Sequence, residues 1–307
     1  MTDLDSISGH PHAVLVIDTE SRHLSPADAA ARTRQAASFA RHHSQLIYKK
    51  TDSTLRGNIA AEFRAIQEVF PQQRIVYVPA YPDMGRTVKD GQLFVHGTPV
   101  HQTDFADDRW CPVRDCRIRT VLGDVPALIV DGEWNADIEA AARSIIEQAP
   151  PRICAGPAAL AEALARHMGS KSRRNIPLPR VSRCLVVNGS LHPVSIQQIA
   201  VAEKQMLFDQ NWQVLDEQVE GWGRERALQI GERVLRTLAS ARFDAVLVFG
   251  GDTAFGIHCA LGSLPVDAIG EIAPGVAISK SGDLLWITKA GGFGPPDILS
   301  TIRKRLT

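Results

Sequence analysis

The stretch Lys49-Lys50-Thr51-Asp52-Ser53-Thr54-Leu55-Arg56-Gly57-Asn58 compresses three cations, one carboxylate and several hydroxyls into ten residues. Such a segment can grip a polyhydroxylated anion. Arg56 offers a planar fork for a carboxylate or phosphate, Lys49 or Lys50 a mobile positive charge, and Asp52, Ser53 and Asn58 can bond hydroxyls. The same residues would also suit a helix-capping loop with solvated charges. A second segment, Pro79 to Gly91, supplies Arg86 and Lys89 beside glycines that let a backbone approach a ligand. An ordinary Pro/Gly turn remains open there.

Three further segments carry the marks of anion binding. Phe249-Gly250-Gly251-Asp252-Thr253-Ala254 reads as a strand, a glycine pair and a helix start, where free amides and the helix dipole favour negative charge. It is neither G-x-x-x-x-G-K-[ST] nor G-x-G-x-x-G, and a plain tight turn is the competing account. Lys289-Ala290-Gly291-Gly292-Phe293-Gly294 can make a second phosphate- or adenine-facing loop. Asn188-Gly189-Ser190-Leu191-His192-Pro193 places Ser190 and His192 ahead of a helix, and a histidine there is more often a cap than a ligand.

The elements that must position these segments alternate. The apolar run 13–18 reads as a buried strand of a parallel sheet, and Ser25-Pro26 as the cap and first residue of a helix. Strands are expected at 46–48 and 74–78, with a helix over 59–69 whose Ile59, Phe63, Ile66 and Phe70 share one face. In such a sheet the 49–58 and 79–91 segments would open as loops from neighbouring strand ends. Residues 92–101 suggest a small hairpin. Strands at 128–130 and 153–155 follow, with helices over 136–146 and 157–167. After a polar, basic stretch, Gly169 to Arg180, come strands at 184–187 and 245–249 and helices over 195–203, 224–239 and 252–261. Strands at 276–279 and 284–288 and a helix from Pro296 close the chain. The expected class is α/β, in two domains, each an open and mostly parallel sheet flanked by helices, with a cleft between them. The boundaries fall at 1–170, a linker over 171–182, and 183–307.

The 307 residues carry 34 Lys and Arg against 34 Asp and Glu, so the formal charge is zero. A balanced chain has no bulk pull toward nucleic acid or an anionic membrane, and any anion preference must be local. With 44% hydrophobic and 22% charged residues the composition is that of a globular protein. The five cysteines, Cys111, Cys116, Cys154, Cys184 and Cys259, form no C-x-x-C pair and no zinc pattern, which fits reduced thiols in the cytoplasm. The acidic start has neither basic nor apolar signal character, and no apolar run approaches the ~20 residues of a membrane span.

Taken in order, the motifs resemble the four-carbon acid sugar kinase family. The resemblance runs from about residue 13 to the C-terminus, through residues 49–58, Gly85-Arg86-Thr87-Val88-Lys89-Asp90-Gly91, Gly250-Gly251-Asp252-Thr253, Gly270-Glu271-Ile272-Ala273-Pro274-Gly275-Val276 and Gly291-Gly292-Phe293-Gly294. It implies phosphorylation of a tetronate or 3-oxo-tetronate hydroxyl with ATP, assisted by Mg2+. The N-terminal domain would hold the acid sugar through Lys49, Lys50, Asp52, Ser53, Arg56, Asn58 and Arg86. The C-terminal domain would hold ATP through Ser190, Gly250, Gly251, Asp252, Thr253, Lys289, Gly291, Gly292 and Gly294. Asp52, or else Asp252, would draw the proton from the attacking hydroxyl; no metal ligand is assigned. A homodimer is expected, with a small acid sugar as partner and neither nucleic acid nor membrane. Family members usually open with a strand and an Asp-Asp turn. No such turn precedes Val14, Asp107-Asp108 comes much later, and the stretch between Ser190 and Gly250 is short, so the chain is expected to be truncated or diverged. A non-catalytic sensor of acid sugar or nucleotide is the alternative reading. An oxidoreductase is disfavoured because no dinucleotide fingerprint follows the first strand.

Overall fold

The computed structural model describes residues 14–108, 111–150, 152–169, 177–215, 221 and 223–307. Half of the expected linker, residues 171–176, lies outside them. The chain divides into two compact units, residues 3–172 and 173–307.

The N-terminal unit runs α1 (Pro26–His43), β1 (Leu46–Lys50), α2 (Ile59–Val69), β2 (Val76–Tyr77), β3 (Arg86–Lys89), β4 (Gln92–Val95), β5 (Thr98–Pro99), α3 (Ile118–Leu122), β6 (Leu128–Ile129), α4 (Asn135–Glu147), β7 (Arg152–Gly156) and α5 (Ala158–His167). Its main sheet has the order β1-β7-β2-β6 and every pairing is parallel. Parallel strands all end on one edge, where an open α/β sheet presents its loops. Ser25 caps α1 as its type suggests, its hydroxyl accepting from the Asp28 amide at 3.2 Å with Pro26 first in the helix. On α2, Ile59, Phe63 and Ile66 are buried against the sheet, with the Phe63 ring edge-on to Tyr77 at 5.0 Å.

Three sequence expectations fail in this unit. Residues 14–18 form no strand, and Val14 and Val16 are 79% and 85% exposed. An apolar run becomes a strand only where a neighbour takes its amides and carbonyls, and among the described residues none does. The segment expected to be a loop over 79–91 is instead a 3-10 turn at Pro82–Met84 followed by β3. There β3 starts an antiparallel sheet of order β3-β4-β5. Finally, β1 and β2 are not neighbours, because β7 lies between them.

The C-terminal unit runs β8 (Cys184–Asn188), α6 (Pro193–Lys204), β9 (Trp212–Val214), α7 (Gly223–Ser240), β10 (Ala245–Phe249), α8 (Gly251–Ala260), β11 (Asp267–Ala273), β12 (Val276–Ser281), β13 (Leu284–Lys289) and α9 (Ile298–Leu306). The sheet order is β11-β12-β13-β10-β8-β9, parallel from β13 to β9 and antiparallel across β11, β12 and β13. β10 is wholly buried, so its continuous apolar run Ala245–Phe249 has cover on both faces. The chain leaves β8 toward β9 on one side and reaches β10 on the other. This reversal of strand order is where such sheets open a crevice.

Candidate functional sites

In the N-terminal unit the 51–58 loop leaves β1 at Thr51, whose amide donates to the Gly156 carbonyl at 2.8 Å across the end of β7. The loop is wound around Asp52, which accepts from the Thr54 amide at 2.8 Å and from the Thr54 hydroxyl. Leu55 has φ +64°, a left-handed conformation that costs a branched side chain, and burial of that side chain in the core holds it there. This fixes the direction of Arg56. Its guanidinium donates through Nε and Nη2 to the two Asp52 oxygens at 3.2 and 3.0 Å, and through Nη1 to Asp108 at 2.9 Å. Arg22 adds a donor to Asp52 at 3.1 Å. Burial pushes the Asp52 carboxyl up, but the hydrogen bonds from Arg56 and Thr54 and the Arg56 charge outweigh it, and its pKa lies below the usual value.

Arg86 is brought to the same place from β3. The Arg56 and Arg86 guanidinium carbons lie 5.1 and 5.9 Å from the centroid of the Phe105 ring. Asn58 donates to the carbonyls of Ser21 and Leu24, both at 2.9 Å, and thereby sets Arg22 beside the loop. Lys49 is paired with buried Glu62 at 3.1 Å, and the Ser21 hydroxyl also donates to Glu62. Lys50 ends β1, its pKa lowered by desolvation against the opposing pull of Asp52. Ser53 makes no hydrogen bond among the described residues. Lys89 points elsewhere, to Glu133 at 3.5 Å. Arg22, His23, Arg56, Gly57, Asn58 and Cys111 line a hollow of about 220 Å³. The arrangement is a small polar recess with two arginines in its wall. Sequence reasoning missed Arg22, which lines it, and Phe105 and Asp108, which hold Arg56. They lie between 34 and 52 residues from Arg56 along the chain.

In the C-terminal unit the register aligns Asn188, Phe249 and Lys289 at the ends of β8, β10 and β13. The loops that follow meet around Ser190. A Cβ on Gly291 would lie 2.3 Å from the Ser190 hydroxyl oxygen, so only glycine permits this approach. Gly250, at φ +102°, turns the chain into α8 beside the Ser190 Cβ. Thr253 is buried in the first turn of α8. Asp252 is exposed there and makes no hydrogen bond among the described residues. The first-turn amides of α8 have no partner within the helix. The turn between β11 and β12 brings Gly275 against the Phe293 ring, so the 270–276 motif joins the same centre. His192 is the cap of α6, its Nδ1 accepting from the Val194 amide at 3.2 Å. Lys289 is 2% exposed, and its ammonium is turned onto carbonyls of its own loop rather than outward. What this centre offers an anion is therefore backbone amides at two glycine turns, with a hydroxyl between them.

Residues 2–127 match the family model described as a sugar-binding N-terminal domain. A protein of Bordetella bronchiseptica named D-threonate kinase is 31% identical, over 93% of this chain and 84% of its own length. The chain belongs to the four-carbon acid sugar kinase family. A crystal structure of a domain of unknown function from Bordetella bronchiseptica, a domain-swapped dimer with bound citrate, is 28% identical. Its TM-score is 0.51, and the match covers 99% of this chain and 90% of that one. A Haemophilus influenzae protein shares the fold with a TM-score of 0.74 at 18% identity, over 94% of this chain and 89% of that one. The α/β architecture is thus one that solved structures share. Among the described residues no helix is long and apolar enough to cross a membrane.

Proposed function

We propose that this chain is an ATP-dependent kinase that phosphorylates a hydroxyl of a four-carbon sugar acid. The observation that carries the reading is the convergence of the 189–192, 250–253 and 290–294 loops on Ser190 at three aligned strand ends. It makes a cradle of amides suited to phosphate. The arginine-walled recess of the N-terminal unit suits a small carboxylate, and the Bordetella relative bears the name D-threonate kinase. D-threonate is therefore the first acid to test, ahead of erythronate and 3-oxo-tetronates. A self-assembled homodimer is part of the proposal, by analogy with the dimeric relative.

Phosphoryl transfer asks for positioning and charge neutralisation more than for covalent chemistry. In this reading Gly250, Gly251, Thr253, Ser190, Gly291, Gly292 and Gly294 orient the ATP phosphates. Arg22, Arg56, Arg86, Lys50, Ser53 and Asn58 build the acid site, with Lys49 supporting it from its pair with Glu62. Five hydrogen bonds hold Asp52, which makes it a poor proton acceptor and a good anchor for Arg56. The acceptor role passes to Asp252. Mg2+ would arrive with the nucleotide and neutralise phosphate charge. No group of three or more His, Cys, Asp or Glu gathers to hold a metal among the described residues, but a phosphate-borne magnesium ion needs only one or two carboxylates.

The test is ADP release with a panel of four-carbon acids, run beside calorimetric binding of the same acids. Acid-dependent ADP formation supports the kinase. Tight acid and nucleotide binding without turnover favours the sensor. Within the acid site, Arg56→Ala weakens acid binding by roughly 10- to 100-fold, since a charge-assisted bond is worth ~1.5–3 kcal/mol. ATP affinity is unchanged. Arg56→Lys does not rescue it, because a single ammonium cannot bridge Asp52 and Asp108 as the planar fork does. A variant that loses ATP and keeps the acid would reverse the assignment of the two units.

A further inference from the structure

The 290–295 segment has its carbonyls accounted for in an unusual way. Lys289 Nζ donates to the carbonyls of Ala290, Gly291 and Phe293 at 2.7, 3.3 and 2.7 Å. Gln198 Nε2 lies 2.9, 2.9 and 3.0 Å from those of Phe293, Gly294 and Pro295. The Ser195 hydroxyl donates to the Gly291 carbonyl at 2.6 Å. Ser195 and Gln198 are 0% exposed and Lys289 2%. Three buried polar side chains thus spend their donors on one short, exposed loop. No carboxylate pairs with the ammonium among the described residues; its other neighbour is the Phe249 ring, 4.9 Å away.

A peptide is planar and trans, so a carbonyl held inward turns the next amide outward. The carbonyls of Ala290, Gly291 and Phe293 face the buried donors. The amides that follow them, on Gly291, Gly292 and Gly294, make no hydrogen bond among the described residues. We infer that Lys289, Gln198 and Ser195 are positioning residues that lock this loop with its carbonyls inward, so that the Gly291, Gly292 and Gly294 amides bind phosphate. The inference rests on the nucleotide reading of the C-terminal unit. It gives Lys289 a different task from a phosphate ligand: its charge acts through the backbone. Burial pushes the pKa of this ammonium down to about 8, in keeping with a charge kept inside without a counter-ion. Sequestering an ammonium without a carboxylate is costly, and the carbonyls that solvate it here are those of the loop it orders.

The direct test is an ADP titration of the whole chain with isotope-labelled glycine, read by NMR. The Gly291, Gly292 and Gly294 amides should shift in step with binding. If ADP binds and these amides do not move, the inference falls while the nucleotide reading stands. If ADP does not bind, both fall. Variants give the second arm. Gln198→Leu, Ser195→Ala and Lys289→Met should each raise the ADP dissociation constant and the KM for ATP by roughly ten-fold or more, the loss of one or two oriented amide contacts. The KM for the acid and kcat should change little. Val234→Ala, a core truncation on α7 remote from the loop, controls for lost stability. If the three variants lower Tm as Val234→Ala does and bind ADP like the parent chain, their role is structural only and the inference is overturned.

Discussion

Gly251→Val abolishes ATP binding and leaves the C-terminal unit folded. Apart from its chain neighbours and the backbone of α8 itself, no atom lies within 4 Å of the position a Cβ would take at Gly251, and its φ is not in the left-handed range. A valine there meets no neighbour and strains no backbone. Its methyl groups stand in front of the first-turn amides of α8, and a phosphate oxygen must come within ~2.7–3.2 Å of an amide nitrogen to bond it. Losing two such charge-assisted bonds at ~1.5–3 kcal/mol each lowers affinity by roughly 10²–10⁴-fold. Calorimetric titration with ATP reads the loss, and thermal unfolding reads the fold. Parental affinity in the variant would return Gly250-Gly251 to the status of a tight turn.

Asp252→Asn lowers kcat by roughly 10²–10⁴-fold, the usual worth of a positioned proton acceptor, with little change in the affinity for either substrate. Asp52→Asn has a different signature. Asp52 holds Arg56 and Arg22, so its loss raises the KM for the acid and lowers stability, while kcat at saturation falls less. Steady-state kinetics with both substrates varied separates the two. If Asp52→Asn carries the large kcat loss and Asp252→Asn is near neutral, the two carboxylates exchange roles.

The regular elements were legible where local signals agree. Helix α2 shows its apolar face at Ile59, Phe63 and Ile66, and α1 announces its start with Ser25-Pro26. The 14–18 run misleads because hydrophobicity measures the wish for cover and says nothing of a partner. β3 was hidden by the Pro and Gly residues on either side of it. β11 escaped because Asp267, Gly270 and Glu271 interrupt its pattern, which an edge strand tolerates. The loops of the proposed nucleotide centre could be read because each is contiguous. Arg22, Phe105 and Asp108 could not, since only the tertiary fold brings them to Arg56. Helix α6 carried a signal that was overlooked: it buries Ser195 and Gln198 while Ile196 is 53% exposed. A helix that turns polar side chains inward has something polar to hold.

The Asn58 side chain ties down one wall of the proposed acid recess. Arg22, His23 and Leu24 follow three residues after the exposed, strandless stretch 14–18, and the two bonds from Asn58 to the Ser21 and Leu24 carbonyls fasten them to the start of α2. Affinity for the acid is then the intrinsic affinity multiplied by the fraction of molecules in which that wall is docked. A substitution such as Asn58→Ala would weaken binding by undocking that wall, over and above any contact Asn58 itself makes to the acid. The deficit would be recoverable by anything that docks the wall first. Amide exchange at residues 21–24 would report the same fraction, slowing when the acid is bound.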